Sequence, residues 1–324
     1  MNISKLPLVS VVISAYNHEN YIQETINSII AQTYEKIELI IIDDGSIDLT
    51  FEKILEMENV CKERFINIIF KKQKNQGIGT TANNLINLSQ GKYIYYIASD
   101  DLAKPTAIYE EVSFLEKHDD YSLVVGDNEI IDKNGIICYW DKSRNLIYEE
   151  SAATHKTYGD FLKIKELGNN FGRYLYLYKG NHIPNGYLVR KEIYEKTGIN
   201  NEKAPLDDWF MNLQIAKYAK IKYLDKVLFS YRWHHTNTSK QGQKMQLLYD
   251  LTIQYENDLL SKTDFKLVHK DALYCFLFGK IIKKVSIINN KIEFHKYRKN
   301  NIKMWVLHIL GCEFIIRKKF LSND

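Results

Sequence analysis

Val9 to Ser14 (VSVVIS) and Ile37 to Asp43 (IELIIID) are predominantly apolar runs of strand length, and between them Ile22, Ile26, Ile29 and Ile30 fall at helical spacing within Asn20 to Thr33. A strand that is apolar at consecutive positions must be covered on both faces. The alternation continues with a helix over Leu49 to Lys62, a strand over Ile66 to Lys71, a helix over Thr80 to Leu88 and a strand over Tyr93 to Ala98. Four strand–helix units in succession predict an α/β fold: a Rossmann-like, mostly parallel central sheet with right-handed crossovers, flanked by helices. Pro105 opens the next helix, running to about His118, at a position where its missing N–H costs nothing.

After Tyr121 the pattern changes. Leu123 to Ile131 and Ile136 to Trp140 flank Asp132-Lys133-Asn134-Gly135, a hairpin signal rather than a crossover. A polar loop, an aromatic and Gly-rich stretch from Asn169 to Tyr187, a strand over Tyr187 to Val189 and a helix from about Asp207 follow. Residues 240 to 324 read as helical throughout. The expected organisation is a catalytic domain over 1–240, made of halves 7–120 and 121–240, and a helical basic C-terminal extension over 241–324.

Composition bears on partners. With 45% hydrophobic and 26% charged residues in 324, the chain is neither disordered nor collagen-like, and its 4 cysteines form no disulfide framework, so a reducing compartment fits. The net charge of +4 is unevenly spread: residues 262–324 hold 14 Lys/Arg against 5 Asp/Glu, leaving 30 against 35 in the rest. Met1 to Leu8 has no apolar run of signal-peptide length, and Ala272 to Gly279 and Met304 to Ile316 are shorter than the ~20 residues that cross a bilayer. A cytoplasmic protein without a membrane span is expected.

In a parallel α/β sheet, ligands bind beyond the carboxyl ends of the strands. Here those ends are polar: Ser14-Ala15-Tyr16-Asn17, Asp43-Asp44-Gly45-Ser46, Lys74-Asn75-Gln76-Gly77 and Ser99-Asp100-Asp101. Any one of these loops reads equally well as turn formers and caps, but four on one rim point to a site. A rim carboxylate such as Asp43 or Asp44 accepts from a base N–H or ribose hydroxyls. The adjacent carboxylates Asp100 and Asp101 repel each other unless a divalent cation with oxygen ligands lies between them, which suggests a metal–diphosphate site. No Gly-x-Gly-x-x-Gly follows the first strand and no Gly-Lys-Ser/Thr loop occurs, against a dinucleotide dehydrogenase or a P-loop kinase.

Together these residues resemble the family 2 glycosyltransferases. VSVVISAYNHENYIQETINSIIAQTYEKIELIIIDDGSIDLT is similar to the family's amino-terminal block and NQGIGTTANNLI…GKYIYYIASDDLAKP to its second, and the likeness continues through PNGYLVRKEIYEKTG and LDDWFMNLQIAK to YRWHHTNTS. It covers about residues 7 to 240. The resemblance implies a GT-A fold, a nucleotide-diphospho-sugar donor (UDP being commonest), Mn2+ or Mg2+, and inversion at the anomeric carbon. By the same resemblance, Ser14, Ala15, Tyr16, Asp44 and Gly77 belong to the nucleotide-sugar pocket, with Asp44 accepting from the base and Tyr16 stacking on it. Asp100 matches the last position of the family's Asp-x-Asp element and is its metal ligand, joined by Asp101. The sequence departs from the family at Ala98, where the first Asp of that element is expected.

Asp207-Asp208 resembles the family's acidic base motif, with Asp208 as general base and Asp207 as fallback; alone, the pair could simply open a helix, where carboxylates favour the dipole. Tyr231-Arg232-Trp233-His234 resembles an Arg-x-His element whose histidine either completes the metal site or touches the diphosphate, so that Arg232 and His234 would neutralise the leaving diphosphate beside the cation. The implied acceptor is a hydroxyl of a glycan or lipid-linked saccharide of the cell envelope. The basic 262–324 segment reads either as a membrane-surface helix on anionic lipid at the inner face of the plasma membrane or as a helical cap. The competing functions are a nucleotidyltransferase and a catalytically weakened binding or scaffold protein; no nucleic-acid module is present.

Overall fold

The computed structural model describes residues 6–235, 237, 242–259, 283–288 and 291–296. Its centre is a 10-stranded sheet. The first four strands, β1 (Val9–Ala15), β2 (Ile37–Asp43), β3 (Asn67–Lys72) and β4 (Tyr93–Ala98), are mutually parallel in the order β3-β2-β1-β4. β1 and β2 are covered on both faces, as their apolar runs require. Val9, Val11 and Ile13 pack with Ile22, Ile26 and Ile29 of helix α1 (Ile22–Ile30), whereas Val12 packs on the opposite face with Leu85 and Ile86. β3 is the sheet edge and ends in Lys71 and Lys72, exposed charges that discourage pairing with another chain.

The helix expected over Leu49 to Lys62 is two, α2 (Thr50–Glu56) and α3 (Glu58–Arg64), divided at Met57. α4 (Ile78–Leu88) joins β3 to β4. A two-residue strand, β5 (Leu102–Ala103), and helix α5 (Ala107–Leu115) follow. The hairpin of β6 (Tyr121–Ile131) and β7 (Ile137–Trp140) is as read from sequence, with β8 (Leu146–Ile147) added to its edge. Three short helices, α6 (Tyr158–Phe161) and α7 (Ile164–Leu167) ahead of the aromatic stretch and α8 (Tyr174–Leu177) within it, precede β9 (Tyr187–Arg190), α9 (Tyr194–Thr197) and α10 (Asp207–Tyr218).

The long strand β10 (Lys220–Arg232) was not expected: its alternation is broken by register shifts between Tyr223 and Val227 and between Val227 and Phe229. It runs parallel to β6, while β9 lies antiparallel between β4 and β6 and β5 antiparallel on β10. The carboxyl ends of β1, β2, β3, β4, β6 and β10 therefore share one rim.

Helix α11 (Gly242–Leu259) agrees with the helical reading of the C-terminal region, but Lys283–Ile288 (β11) and Lys291–Lys296 (β12) form an antiparallel pair where helix was expected. The sequence there alternates Val285-Ser286-Ile287 and Ile292-Glu293-Phe294 around Asn289-Asn290, a period of two that a helical reading overlooks. The rest of the basic segment lies outside the described residues. α11 packs on α8 and α10 through buried polar groups: Glu256 pairs with Lys217 at 2.7 Å and accepts from Tyr174 and Gln214, and Asn257 accepts from Tyr178.

Candidate active site

The first three rim loops brace one another. Asp43 accepts from the backbone N–H of Ser46 at 2.9 Å and from its hydroxyl, closing its own loop, and Ser46 Oγ accepts from the N–H of Asn17. Asn17 sits at φ 53, a left-handed conformation that Asn tolerates, and its side chain accepts from Ile47 N–H. Both oxygens of Asp44 are engaged: one accepts from the Gln73 amide at 2.8 Å and Gln76 N–H at 2.9 Å, the other from Gly77 N–H at 2.9 Å. Asp44 thus ties the third loop to the second, and Gly77 supplies the φ of 85 that starts α4. Ser14 and Ala15 end β1 beside this knot, and Tyr16 is 46% exposed on the same rim.

Past β4 a second cluster forms. One carboxylate oxygen of Asp100 shares a hydrogen bond of 2.8 Å with His234 Nε2 and lies 3.9 Å from His18 Nε2. Donor atoms of His18, Asp100 and His234 all lie within 4.8 Å of one another. Burial opposes ionisation of Asp100, but the His234 hydrogen bond and the two imidazoles outweigh it and hold the carboxyl below its ordinary range. Burial lowers the His18 pKa, against the pull of Asp100. A carboxylate and two imidazole nitrogens converging on one point suit a divalent metal. His18 was missed from sequence, although it follows β1 on the rim where ligands were sought.

One expected metal ligand, Asp101, and one expected diphosphate contact, Arg232, are not brought into this cluster. Asp101 turns into the protein, accepting from the backbone N–H of Arg232 at 2.8 Å. Burial first, and then the Asp100 charge, push its carboxyl well above the usual range. Arg232 was expected to face the diphosphate. Its side chain is instead fully buried, donating to the carbonyls of Asp100 (2.6 Å), Asp132 and Lys133 and to the carboxylate of Glu24 (2.5 Å), with its guanidinium 4.9 Å over the Tyr21 ring. It positions the site from behind, and Tyr21 in turn stacks on His234 with centroids 5.0 Å apart.

The paired acids open α10. Asp208 accepts from Trp209 N–H at 2.7 Å and from the Asn181 amide at 3.3 Å. It is open to solvent but ringed by protein atoms, which raise its pKa. Asp207 is more enclosed; burial and then the neighbouring Asp208 push it up to about 6. A side chain added at Gly79 of α4 would come within 3.7 Å of the Asp207 carboxylate, so this pair borders the same rim. Beside Asp208 a recess of ≈ 440 Å³ is lined by Tyr178, Gly180, Trp209, Tyr249 and Ile253.

Residues 10–181 match the model of Glycosyl transferase family 2. Over 235 residues the chain is 33% identical to an uncharacterised glycosyltransferase of Haemophilus influenzae, covering 72% of this chain and 68% of that one. A Rickettsia felis glycosyltransferase is 31% identical over 240 residues, 74% of this chain and 35% of the relative, so this chain spans about a third of that protein's length. Among solved structures, the mannosyltransferase PcManGT from Pyrobaculum calidifontis in complex with GDP-Man and Mn2+ has a TM-score of 0.60 at 14% identity, over 86% of this chain and 72% of that one. S. aureus TarS 1-349 in complex with UDP-GlcNAc gives 0.55 at 16% identity, over 84% and 74%. The fold is GT-A and the protein a glycosyltransferase. It belongs to family 2.

Proposed function

We propose that the protein moves a sugar from a nucleotide-diphospho-sugar, UDP-linked in the first instance, to a hydroxyl of a glycan or lipid-linked saccharide, with inversion and with Mn2+ or Mg2+. The observation that carries this reading is the meeting of His18, Asp100 and His234 on the rim that also holds the Asp44-braced loops and the Asp207-Asp208 pair. That TarS was solved with UDP-GlcNAc and the Pyrobaculum enzyme with GDP-Man and Mn2+ supports a nucleotide-sugar donor and a metal.

In this mechanism Ser14, Ala15, Tyr16, Asp44 and Gly77 line the nucleotide pocket, with the Tyr16 ring stacking on the base. Asp100 and His234 hold the cation, which supplies positive charge for the departing diphosphate when bound. Asp208, raised in pKa yet wetted, removes the acceptor hydroxyl proton as the new bond forms on the face opposite the leaving group. The 7–120 half handles the donor, and the 121–240 half, with the recess beside Asp208, the acceptor. Among the described residues no helix is long and apolar enough to cross a membrane. The 14 Lys/Arg of residues 262–324 favour attachment to anionic lipid at the inner face of the plasma membrane and an envelope glycan as product.

Calorimetry with UDP, dTDP and GDP, with and without Mn2+, tests the donor; binding of none of them sinks the reading. Flotation on phosphatidylglycerol vesicles, with and without residues 262–324, tests the attachment.

A further inference from the structure

His18 stands at the turn between β1 and α1, its ring edge-on to Tyr21 and His234. Its backbone is fixed from both sides: its N–H donates to Thr50 Oγ1 at 2.8 Å, and its carbonyl accepts from Tyr21 and Ile22 at the start of α1. Its Nδ1 shares a hydrogen bond of 2.7 Å with Ser99 Oγ, in the residue immediately before Asp100. A proton on Nδ1 donated to Ser99 leaves the Nε2 lone pair available, 3.9 Å from the Asp100 carboxylate. This is the outer-sphere arrangement by which proteins orient a ligating imidazole. Two atoms bound to one metal at about 2.1 Å lie about 3 Å apart when adjacent and about 4 Å when opposite. The separations of Asp100 from His234, 2.8 Å, and from His18, 3.9 Å, fall in that range. Across the chain, the residue two before Asp100 is Ala98, which offers no ligand.

Resting on the metal-dependent reading above, we infer that His18 is a third protein ligand, supplying the donor that Ala98 withholds. The resulting set of two imidazoles and one carboxylate selects a transition metal such as Mn2+ over Mg2+. Mg2+ demands oxygen ligands and gives up its waters reluctantly, whereas imidazole suits the borderline divalent metals. Ser99 is the residue that aims His18.

The test is metal binding by the full chain. Isothermal titration should give Mn2+ an affinity at least about tenfold above Mg2+, and His18→Ala should weaken Mn2+ binding by about 10–100-fold, the scale of outer-sphere losses or more. In the His18→Ala background, Ala98→Asp should restore a cation site, now with the Mg2+ penalty reduced. Electron spin-echo spectra of bound Mn2+ should show coupling to two imidazole nitrogens in the wild type and one in His18→Ala, a readout that needs no turnover and, in the wild type alone, no variant. Wild-type spectra with a single imidazole nitrogen, or unchanged Mn2+ affinity in a folded His18→Ala protein, overturn the assignment of His18 while leaving a metal at Asp100 and His234. Absence of any divalent-cation binding, with UDP present or not, overturns the metal-dependent reading itself and His18 with it.

Discussion

Arg232 holds Asp101 by a backbone hydrogen bond of 2.8 Å, and its guanidinium grips the carbonyl of Asp100 next to it. The end of β10 is thereby clamped to the turn that follows β4, and the carboxylate that faces His18 and His234 is set by a residue that cannot itself reach a ligand. Replacing Arg232 by Ala leaves three backbone carbonyls and a carboxylate without their donor. We expect a loss of about 3 kcal/mol in urea unfolding. A variant of unchanged stability whose only defect is a raised KM for donor would return Arg232 to the diphosphate.

Asp208→Asn should lower kcat by about 10²–10⁴-fold with little change in donor binding, the range of a general base. Asp207→Asn should leave most of the activity. The opposite ranking in a steady-state transfer assay moves the base one residue back.

Two carboxyls make the fold more stable in mild acid. Glu111, fully buried on α5 with no cationic partner among the described residues, is held well above the usual range by burial, and Asp207 titrates at about 6. Each keeps its proton in the folded state to a higher pH than in the unfolded chain. Their destabilising effect is therefore absent below the unfolded carboxyl pKa, grows as pH rises through it and is complete above the folded pKa. Glu111→Gln and Asp207→Asn should each raise the melting temperature at pH 8 relative to wild type, with the difference fading towards pH 4. A pH-independent difference would contradict the shifts.

Lys217 and Glu256 pair at 2.7 Å with almost no exposure, one on α10 and the other on α11. Glu256→Ala removes the buried counter-charge of Lys217 and should cost about 3–5 kcal/mol by chemical denaturation. A chain ending at residue 240, which loses α11 and uncovers Trp209 and Tyr178, should melt earlier than the full chain. Equal melting would make α11 an appendage.

The parallel half of the sheet was legible because β1 and β2 are buried on both faces and their sequences are apolar but for Ser10, Glu38 and the rim residues Ser14 and Asp43. The rim was legible for the same reason: the runs end abruptly in Asp, Asn and Gly. β10 was not, because its bulges around Leu224 to Lys226 destroy the alternation that identifies a strand, and its partner β6 lies about a hundred residues earlier in the chain. That omission hid the site's geometry. Without β10 in the sheet, Arg232 reads as a free cation near phosphate, whereas its surroundings make it an internal brace. His18 carried no pattern of its own; only the approach of Ser99 and Asp100 from β4 gives its imidazole a purpose. Asp100 and Asp101 read as a matched pair, but their side chains diverge, one to the imidazoles and one to the Arg232 amide.

Because β10 follows every other strand of the large sheet in the chain, the three segments that meet at Asp100 come together only once residue 234 has been synthesised. Nascent chains that stop before His234 carry Asp100 and His18 with no partner from β10, and so cannot complete the cluster, however well β1 to β4 have folded. The cluster is thus withheld from truncated products and formed by closure of the sheet.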